Sequence, residues 1–182
     1  MALSKLFSRF RKKPEIRTDL KITGLRKGDL LDYFLKTWQI TQVDEYDWGN
    51  NILSREYTLN SGDETVYLHL EEHDGLELSL SRKIKLSDID RNLKEHIVDH
   101  DDPPRKLTYE GKVYQLSDES LGHSREEGDQ DGIWSELVSY TFMDDQEQEF
   151  LSIERWGEYE ISAAHGQLVK PFEFSNLLPG QS

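Results

Sequence analysis

Cysteine is absent from the 182 residues, which excludes disulfide bonds and thiolate metal sites. Long apolar runs are absent too, and none approaches the roughly 18–20 residues that a membrane-spanning helix needs. The cations near the N-terminus are not followed by the apolar core of a secretory signal. The lack of a spanning run and of a secretory signal favours a cytoplasmic protein.

Positive charge is scarce beyond the N-terminus. The net formal charge is −14, while residues 1–13 hold five cations and no acid, which leaves −19 (−14 minus +5) on the remainder. Because an acidic body repels phosphate groups, we do not expect the protein to bind nucleic acid. The 7 Phe, 8 Tyr and 4 Trp residues can still fill a core, which a disordered chain would lack.

Self-comparison of the sequence indicates a tandem duplication. In a first block, with an offset of 76 residues, Leu31, Tyr33, Lys36 and Gln39 recur as Leu107, Tyr109, Lys112 and Gln115. In a second block, with an offset of 83 residues, Glu71 is equivalent to Glu154 and Glu77 to Glu160. The offset grows by seven residues, which predicts a longer loop in the second unit, over the acidic stretch 119–132.

Each unit has the pattern of antiparallel strands. Aliphatic residues alternate in 66–71 and again in 76–80, with the two-residue period of a half-buried strand, and Asp74-Gly75 between them is a hairpin signal. The strands are predicted near 29–35, 37–45, 52–60, 65–72 and 76–84, and near 105–109, 112–118, 134–143, 148–155 and 158–169. We therefore predict a mainly β fold, a tandem duplication of a five-stranded antiparallel unit (an SH3-like small barrel or sheet) with a linking α-helix.

The linking helix is predicted between the two units. Ser87 can cap it, Ile89, Leu93 and Ile97 share one face, and two prolines end it. The predicted segments are 1–23 (basic amphipathic N-terminal segment), 24–86 (first β repeat), 87–104 (linker helix), 105–170 (second β repeat) and 171–182 (C-terminal tail).

Several short stretches resemble a known family. They are Gly28-Asp29, Trp38-Gln39-Ile40, Tyr57-Thr58-Leu59, Tyr67-Leu68-His69-Leu70-Glu71, Tyr109-Glu110-Gly111-Lys112-Val113-Tyr114 and Leu151-Ser152-Ile153-Glu154. With them the chain resembles the bacterial family named domain of unknown function 4178, over roughly residues 24–168. The resemblance implies an accessory protein in a membrane-stress or polyamine-related context, and it supplies no catalytic residues.

The N-terminal segment is the first candidate for function. Four apolar side chains recur at i, i+3, i+4 and i+7, so they share one helical face with cations around it. Such a segment can lie on an anionic membrane or dock on a protein partner, and the alternative is a disordered start. The residues are Leu3, Leu6, Phe7, Phe10, Lys5, Arg9, Arg11, Lys12 and Lys13.

Aromatic and acidic side chains supply the other candidates. Trp48, Trp134 and Trp156 stand near turns, where they form either a partner surface or ordinary core and rim packing. Glu71 and Glu154 are candidate ligand carboxylates, because two carboxylates that face one cleft can bind a cation or do acid–base work. Each of them also stands at a strand end, where a solvated charge is ordinary.

A metal site is not expected. His96 and His100 have helical i, i+4 spacing, but the HExxH form is absent and a solvated helix end explains them. The acidic stretch 126–132 could attract calcium or a polyamine, but it lacks EF-hand spacing, so a solvated hairpin loop is the default interpretation. No cofactor is predicted.

We expect from these observations a non-catalytic accessory or adaptor module that binds a protein partner. Its N-terminal segment would bring it to the inner membrane surface or to that partner, and its location would be cytoplasmic or peripheral to the inner membrane. The alternative is a domain that binds a small molecule or cation through the paired carboxylates, with or without catalysis. A cavity that contains both Glu71 and Glu154 would favour the alternative.

Overall fold

The computed structural model describes residues 17, 19–128 and 133–180. The nine candidate residues of the N-terminal segment therefore lie outside the described residues. Within the described ranges, every helix is too short or too polar to span a bilayer.

The described residues form eleven strands, two short α-helices and two 3₁₀ turns. The strands of the first half are β1 (Leu30–Tyr33), β2 (Lys36–Asp47), β3 (Leu53–Asn60), β4 (Thr65–Glu72) and β5 (Leu76–Ile84). The helices are α1 (Leu86–Ile89) and α2 (Leu93–His100), and the 3₁₀ turns are Ile22–Gly24 and Pro171–Glu173. The second half has β6 (Lys106–Tyr109), β7 (Lys112–Glu126), β8 (Ser135–Met143), β9 (Glu149–Trp156), β10 (Glu160–Val169) and β11 (Phe174–Leu178). The predicted mainly β fold is confirmed.

The sheet closes on itself. The strands follow the order β11-β1-β2-β3-β4-β5-β10-β9-β8-β7-β6, and β2 additionally pairs with β7. All of these pairings are antiparallel. We call the eight strands from β2 round to β7 the closed sheet, and its two junctions between halves are the β2–β7 seam and the β5–β10 seam. Closure satisfies the edges that an open sheet of this length would expose.

The two halves follow the same strand order. Each is a meander of five strands, and corresponding strands of the two halves pair at both seams. Each half also has an irregularity in its second strand, between Ile40 and Gln42 in β2 and between Leu116 and Asp118 in β7. Such bulges bend a strand, so β2 and β7 can each turn from an outer strand into the closed sheet.

The apolar cores lie on the outer face of the closed sheet. A first cluster is built around Tyr57, Leu59 and Leu68, and β1 and β11 cover it. A second cluster, around Phe142, Leu151 and Ile153, is covered by α2. Alternation along each strand sends one set of side chains into these clusters and the other set inward.

Asp29 joins three segments of the chain. Its buried carboxylate accepts two hydrogen bonds from Arg17 Nη1, at 3.0 and 2.7 Å, and one from the backbone N–H of Arg26. It also accepts a bond of 2.9 Å from the backbone N–H of Gly180. The first and last described segments therefore meet at one side chain.

The linking helix differs from the prediction. The predicted helix over 87–104 is wrong as a single element, because extended backbone at Asp90 separates α1 from α2, and Ser87 lies inside α1 rather than at its cap. The predicted inward face is retained, since Leu93 and Ile97 are buried and Ile89 packs beside them. The predicted long loop over 119–132 is also wrong in part, because β7 continues to Glu126.

Candidate functional site

The closed sheet surrounds a polar cavity of about 770 Å³, which we call the lumen. All eight strands contribute side chains to its wall, and many of these side chains are small hydroxyls. The hydroxyl-bearing residues are Ser79, Ser81, Ser120, Ser139, Thr141, Ser152 and Ser162. A volume of this size is within the range of small-molecule sites, about 300–1,000 Å³.

Alternation in β5 shows why the lumen stays open. Leu78 and Leu80 point outward into the first apolar cluster, while Ser79 and Ser81 line the lumen. Short hydroxyl side chains leave space where leucine would fill it. The pattern of alternating leucine and serine therefore builds a core on one face and a cavity wall on the other.

Three carboxylates, Asp44, Glu56 and Glu154, form the first acidic group. Glu56 of β3 and Glu154 of β9 line the lumen, and Asp44 lies directly opposite Glu56 in the β2–β3 ladder. Burial, followed by the charges of Glu154 and Asp44, raises the pKa of Glu56 to about 8. Burial likewise raises the pKa of Asp44 and of Glu154. At neutral pH, Glu56 thus retains its proton.

Glu71, Glu77 and Asp118 form a second acidic group in the same lumen. Glu71 and Glu77 face each other in the β4–β5 ladder, an arrangement of like charges that destabilises a sheet. The pKa of Glu71 is raised, first by burial and then by the charge of Glu77. The structure thus brings both sequence-predicted carboxylates, Glu71 and Glu154, into one cavity, each within a different acidic group.

Glu71 and Glu154 lie opposite different residues in their strand ladders. Glu71 pairs with Glu77, whereas Glu154 pairs with Ser162, and Glu160 lies opposite Trp156. The expected equivalence of Glu77 and Glu160 is therefore not retained in the strand register. As a result, the lumen has unequal halves.

Aromatic side chains and one histidine complete the lumen wall. Tyr46 stacks on Trp48 with ring centroids 5.5 Å apart, and His69 meets Tyr46 edge-on at 5.8 Å. Burial lowers the pKa of His69 to about 4, so its imidazole is neutral at physiological pH. The wall therefore combines uncharged aromatic faces with carboxylates, which is the chemistry that binds cations.

Lys83 is the one lysine or arginine among the described residues that line the lumen. It is exposed, and its ammonium lies over the Tyr67 ring, with Nζ 5.0 Å from the centroid. Its charge lowers the pKa of all three carboxylates of the first acidic group, against the effect of burial.

The three candidate tryptophans are all half-buried. Trp48 and Trp156 line a second, more open depression on the surface, which we call the groove. Trp48 also reaches the lumen and donates a 2.8 Å hydrogen bond from Nε1 to Ser54. Trp134 packs under the Arg125 guanidinium, 4.5 Å from its ring centroid.

Gly122 of β7 lets Trp48 approach the β2–β7 seam. A Cβ at this position would stand 2.5 Å from Trp48 Cε3, closer than any real contact. The absence of a side chain at Gly122 therefore fixes the tryptophan between lumen and groove.

Within the described residues, no cluster of three His, Asp or Glu side chains has the geometry of a metal site. His96 and His100 stack with ring centroids 4.3 Å apart, and His100 Nδ1 lies 2.9 Å from the His96 carbonyl oxygen. Of the predicted acidic stretch 126–132, residues 129–132 lie outside the described residues.

Most of the lumen is not predicted from the sequence. Glu71 and Glu154 were candidate site residues, whereas Glu56, His69 and Lys83 were not expected in the same site. A signal was present in the serines that alternate with leucines in β5 and recur in β8, β9 and β10. A solvent-facing strand more often carries charged or longer polar residues on its outer face.

Comparisons with known proteins describe the chain without giving it an activity. A family model described as a domain of unknown function (DUF4178) matches residues 26–171. An uncharacterized protein of Aquifex aeolicus (strain VF5) is 27% identical over 178 residues, which cover 97% of this chain and 96% of that protein. No solved structure matches the chain.

Proposed function

Because the chain belongs to the family described as a domain of unknown function (DUF4178), whose description names no activity, we propose a function from the lumen itself. The proposal is that the lumen binds a small organic cation of the amine class. The observation that carries it is one cavity of about 770 Å³ whose wall combines carboxylates of both acidic groups with several aromatic side chains.

The charge balance of the lumen supports a cationic ligand. Among the described residues of the wall, carboxylates outnumber the one lysine. Like charges held close together cost free energy, which is seen in the raised pKa values of Asp44, Glu56 and Glu154, and a bound ammonium group would stabilise their ionised forms.

The aromatic wall narrows the ligand class. Tyr46, Trp48 and Tyr67 present faces that attract ammonium groups, while the serine hydroxyls accept their N–H bonds. Aliphatic diamines and polyamines combine these features, in agreement with the polyamine-related context that the family resemblance implies. Binding of this kind needs no catalytic step.

Isothermal titration calorimetry with 1,4-diaminobutane and spermidine tests the proposal. We expect binding to the wild type and a roughly tenfold or greater loss in Glu154→Gln, because one charge of the first acidic group is removed. Glu95→Gln is the matched control, since Glu95 lies exposed on α2 away from the lumen. Neutral 1,4-butanediol should not bind. Equal heats for wild type and Glu154→Gln, or binding of the diol, would contradict the proposal.

A second proposal, that the protein is an adaptor for a protein partner, is supported by a different surface. The turn between β1 and β2 exposes Phe34 and Leu35 almost fully, and Phe172 is 84% exposed next to β11. Exposed aromatic and aliphatic side chains of this kind are typical of partner surfaces. Cytoplasmic location, with or without contact to the inner membrane, stays part of this proposal.

The adaptor proposal is tested with the variant Phe34→Asn/Leu35→Gly as bait in affinity capture from a bacterial extract. A protein recovered by wild type and lost with the variant would support it. Identical capture by both baits would contradict it.

The duplication of an SH3-like unit is also a proposal. It is supported by the shared strand order of the two halves and by bulges at positions 76 residues apart. A solved structure in which residues 24–86 and 105–170 do not superpose would contradict it.

A further inference from the structure

The position of Lys83 differs from that of Arg82, the other basic residue of β5. Arg82, on the opposite face, forms an ion pair with Glu64 on the outside of the sheet. Lys83 lines the lumen and places its ammonium 5.0 Å from the centroid of the Tyr67 ring. An alkylammonium group of the protein itself therefore occupies one of the aromatic faces.

The same ammonium acts on the first acidic group. Lys83 lines the same cavity as Glu56 and Glu154, and its charge lowers the pKa of both residues and of Asp44. These carboxylates come from three different strands, whereas the only described lysine or arginine on the lumen wall is Lys83. Among the described residues of the wall, one cationic side chain is therefore set against several carboxylates.

Exposure makes Lys83 displaceable. Its side chain is exposed, so the ammonium can move from Tyr67 into solvent without the desolvation penalty that a buried charge would carry. Lysine also has a flexible four-carbon stem and a strongly hydrated head. A cation that enters the lumen can therefore displace the Lys83 ammonium group from the Tyr67 ring.

We propose that Lys83 is the selectivity residue of the lumen: it competes with the incoming organic cation for the Tyr67 face and the first acidic group. The inference rests on the proposed amine-binding function. The charge of Lys83 repels each incoming cation, so a singly charged ligand gains little binding free energy. A ligand with two cationic groups can replace Lys83 with one group and reach the second acidic group, at Glu71 and Glu77, with the other. Lys83 therefore favours diamines over monoamines.

The test compares wild type with Lys83→Met, which keeps the length of the side chain and removes its charge. Titration calorimetry is performed with 1,4-diaminobutane and with n-butylamine at pH 9. At this pH Glu56 is ionised, because its pKa is about 8, and primary ammonium groups resemble lysine, with a pKa of about 10.4, and remain charged. We expect n-butylamine to bind roughly 3- to 30-fold more tightly to the variant, from the removal of one like charge at close range, and the preference for the diamine to shrink.

Two controls separate selectivity from a structural role. Lys85→Met makes the same chemical change outside the lumen and should leave both affinities unchanged. If Lys83 only stabilised the fold, Lys83→Met would lower the unfolding midpoint and leave the ratio of the two affinities unchanged, which would overturn the inference. Wild-type binding with no gain in the variant would overturn the role of Lys83 alone. Failure of wild type and variant to bind either amine would overturn both proposals.

Discussion

At the scale of single residues, the lumen keeps two titratable side chains uncharged at neutral pH. Glu56 is held neutral by burial and by neighbouring carboxylates, with a pKa of about 8, and His69 is held neutral by burial, with a pKa of about 4. For Glu56 the pKa is higher in the folded than in the unfolded state, so stability is lost as pH rises from about 4.5 to 8. For His69 the pKa is lower in the folded state, so stability is lost as pH falls from about 6.5 to 4.

The substitution Glu56→Gln should therefore stabilise the protein increasingly as pH rises above about 4.5. We expect its free energy of unfolding to exceed that of wild type by roughly 1–3 kcal/mol at pH 8.5, less than the full pKa shift would give because lumen solvent screens the charge. At pH 4.5 the two proteins should differ little, since the glutamate is then protonated in the folded state.

Urea unfolding across this pH range measures the effect. Glu95→Gln, on the exposed face of α2, should show no such pH-dependent difference. A difference between Glu56→Gln and wild type that stays constant from pH 4.5 to pH 8.5 would contradict the assignment.

The alternation of apolar and polar side chains along a strand can be predicted from the sequence, but the face of the strand that meets solvent cannot. Leu78 and Leu80 of β5 are buried, as their alternation predicts, whereas Leu76 in the same pattern is 37% exposed. Ser79, Ser81 and Lys83, on the other face of β5, line a cavity, because strands distant in the sequence close around them. A charged residue near a turn, such as Glu154, has the same local sequence in either environment.

At the scale of elements, the turn between β1 and β2 departs from ordinary turn chemistry. Phe34 and Leu35 both have positive φ, 46° and 62°, where Asn-Gly is the favoured pair. The corresponding turn between β6 and β7 has Glu110 and Gly111 at φ 48° and 80°. Two bulky residues in left-handed conformation lower the stability of the fold. Because both side chains are almost fully exposed, burial does not offset this cost. A strained backbone conformation with an exposed bulky side chain is expected where the residue is kept for its function.

Replacement of the turn residues should raise stability. The variant Phe34→Asn/Leu35→Gly is expected to increase the free energy of unfolding by about 1 kcal/mol, because Asn and Gly adopt positive φ readily. The matched control is Gly111→Ala, which should lower it by about 1 kcal/mol, since φ is 80° at this position.

Guanidinium unfolding of both variants measures these changes. A destabilised double variant would show that Phe34 and Leu35 contribute packing that their exposure conceals. The same variant serves in the capture experiment, so a loss of partner could not be ascribed to unfolding if stability rises.

Elements were predicted better than their ends. The predicted strands 65–72 and 76–84 coincide with β4 and β5, since their alternation is regular and a glycine turn separates them. The strand predicted at 29–35 ends at Tyr33 instead, because Phe34 and Leu35 carry no turn signal. β7 was predicted to end at 118 but continues to Glu126, where pairing with β2 stabilises polar residues that look like a loop.

At the scale of the whole molecule, the two seams differ in extent. The β5–β10 seam pairs residues 78–84 with 163–169, whereas the β2–β7 seam pairs only 44–47 with 123–126. Ion pairs reinforce the shorter seam: Arg125 contacts Glu45 at 2.9 Å, and Arg55 reaches Glu45 and Glu127 at 3.6 and 3.5 Å. Local opening in proteins begins where pairing is least extensive, so a ligand should enter the lumen through the β2–β7 seam.

Hydrogen exchange should show this difference. We expect the backbone amides of 123–126 to exchange faster than those of 163–169 in the wild type. Arg125→Gln should accelerate exchange at the β2–β7 seam further, because it removes the hydrogen bonds to Glu45.

Arg91→Gln, an exposed change beside α2, is the matched control and should leave both seams unaffected. Equal protection of the two seams, or acceleration at β5–β10 in Arg125→Gln, would contradict entry through the β2–β7 seam.

Closure itself could not be predicted from the sequence. No local pattern states that β2 meets β7 while β5 meets β10. Pairing between residues about 80 positions apart depends on the shape of the complete sheet. The mainly β class was accessible because it depends on local alternation, which every strand carries.

The meeting of Arg17 and Gly180 at Asp29 gives the fold a cyclic character. Since β11 lies beside β1, the succession of strands has no unique starting point in space. A short linker between the two segments, with new ends opened between α1 and α2, would preserve every strand pairing. The order of the strands along the sequence is thus independent of the arrangement that they form in the fold. Circular permutants of this chain therefore allow reporters to be placed on either side of the lumen.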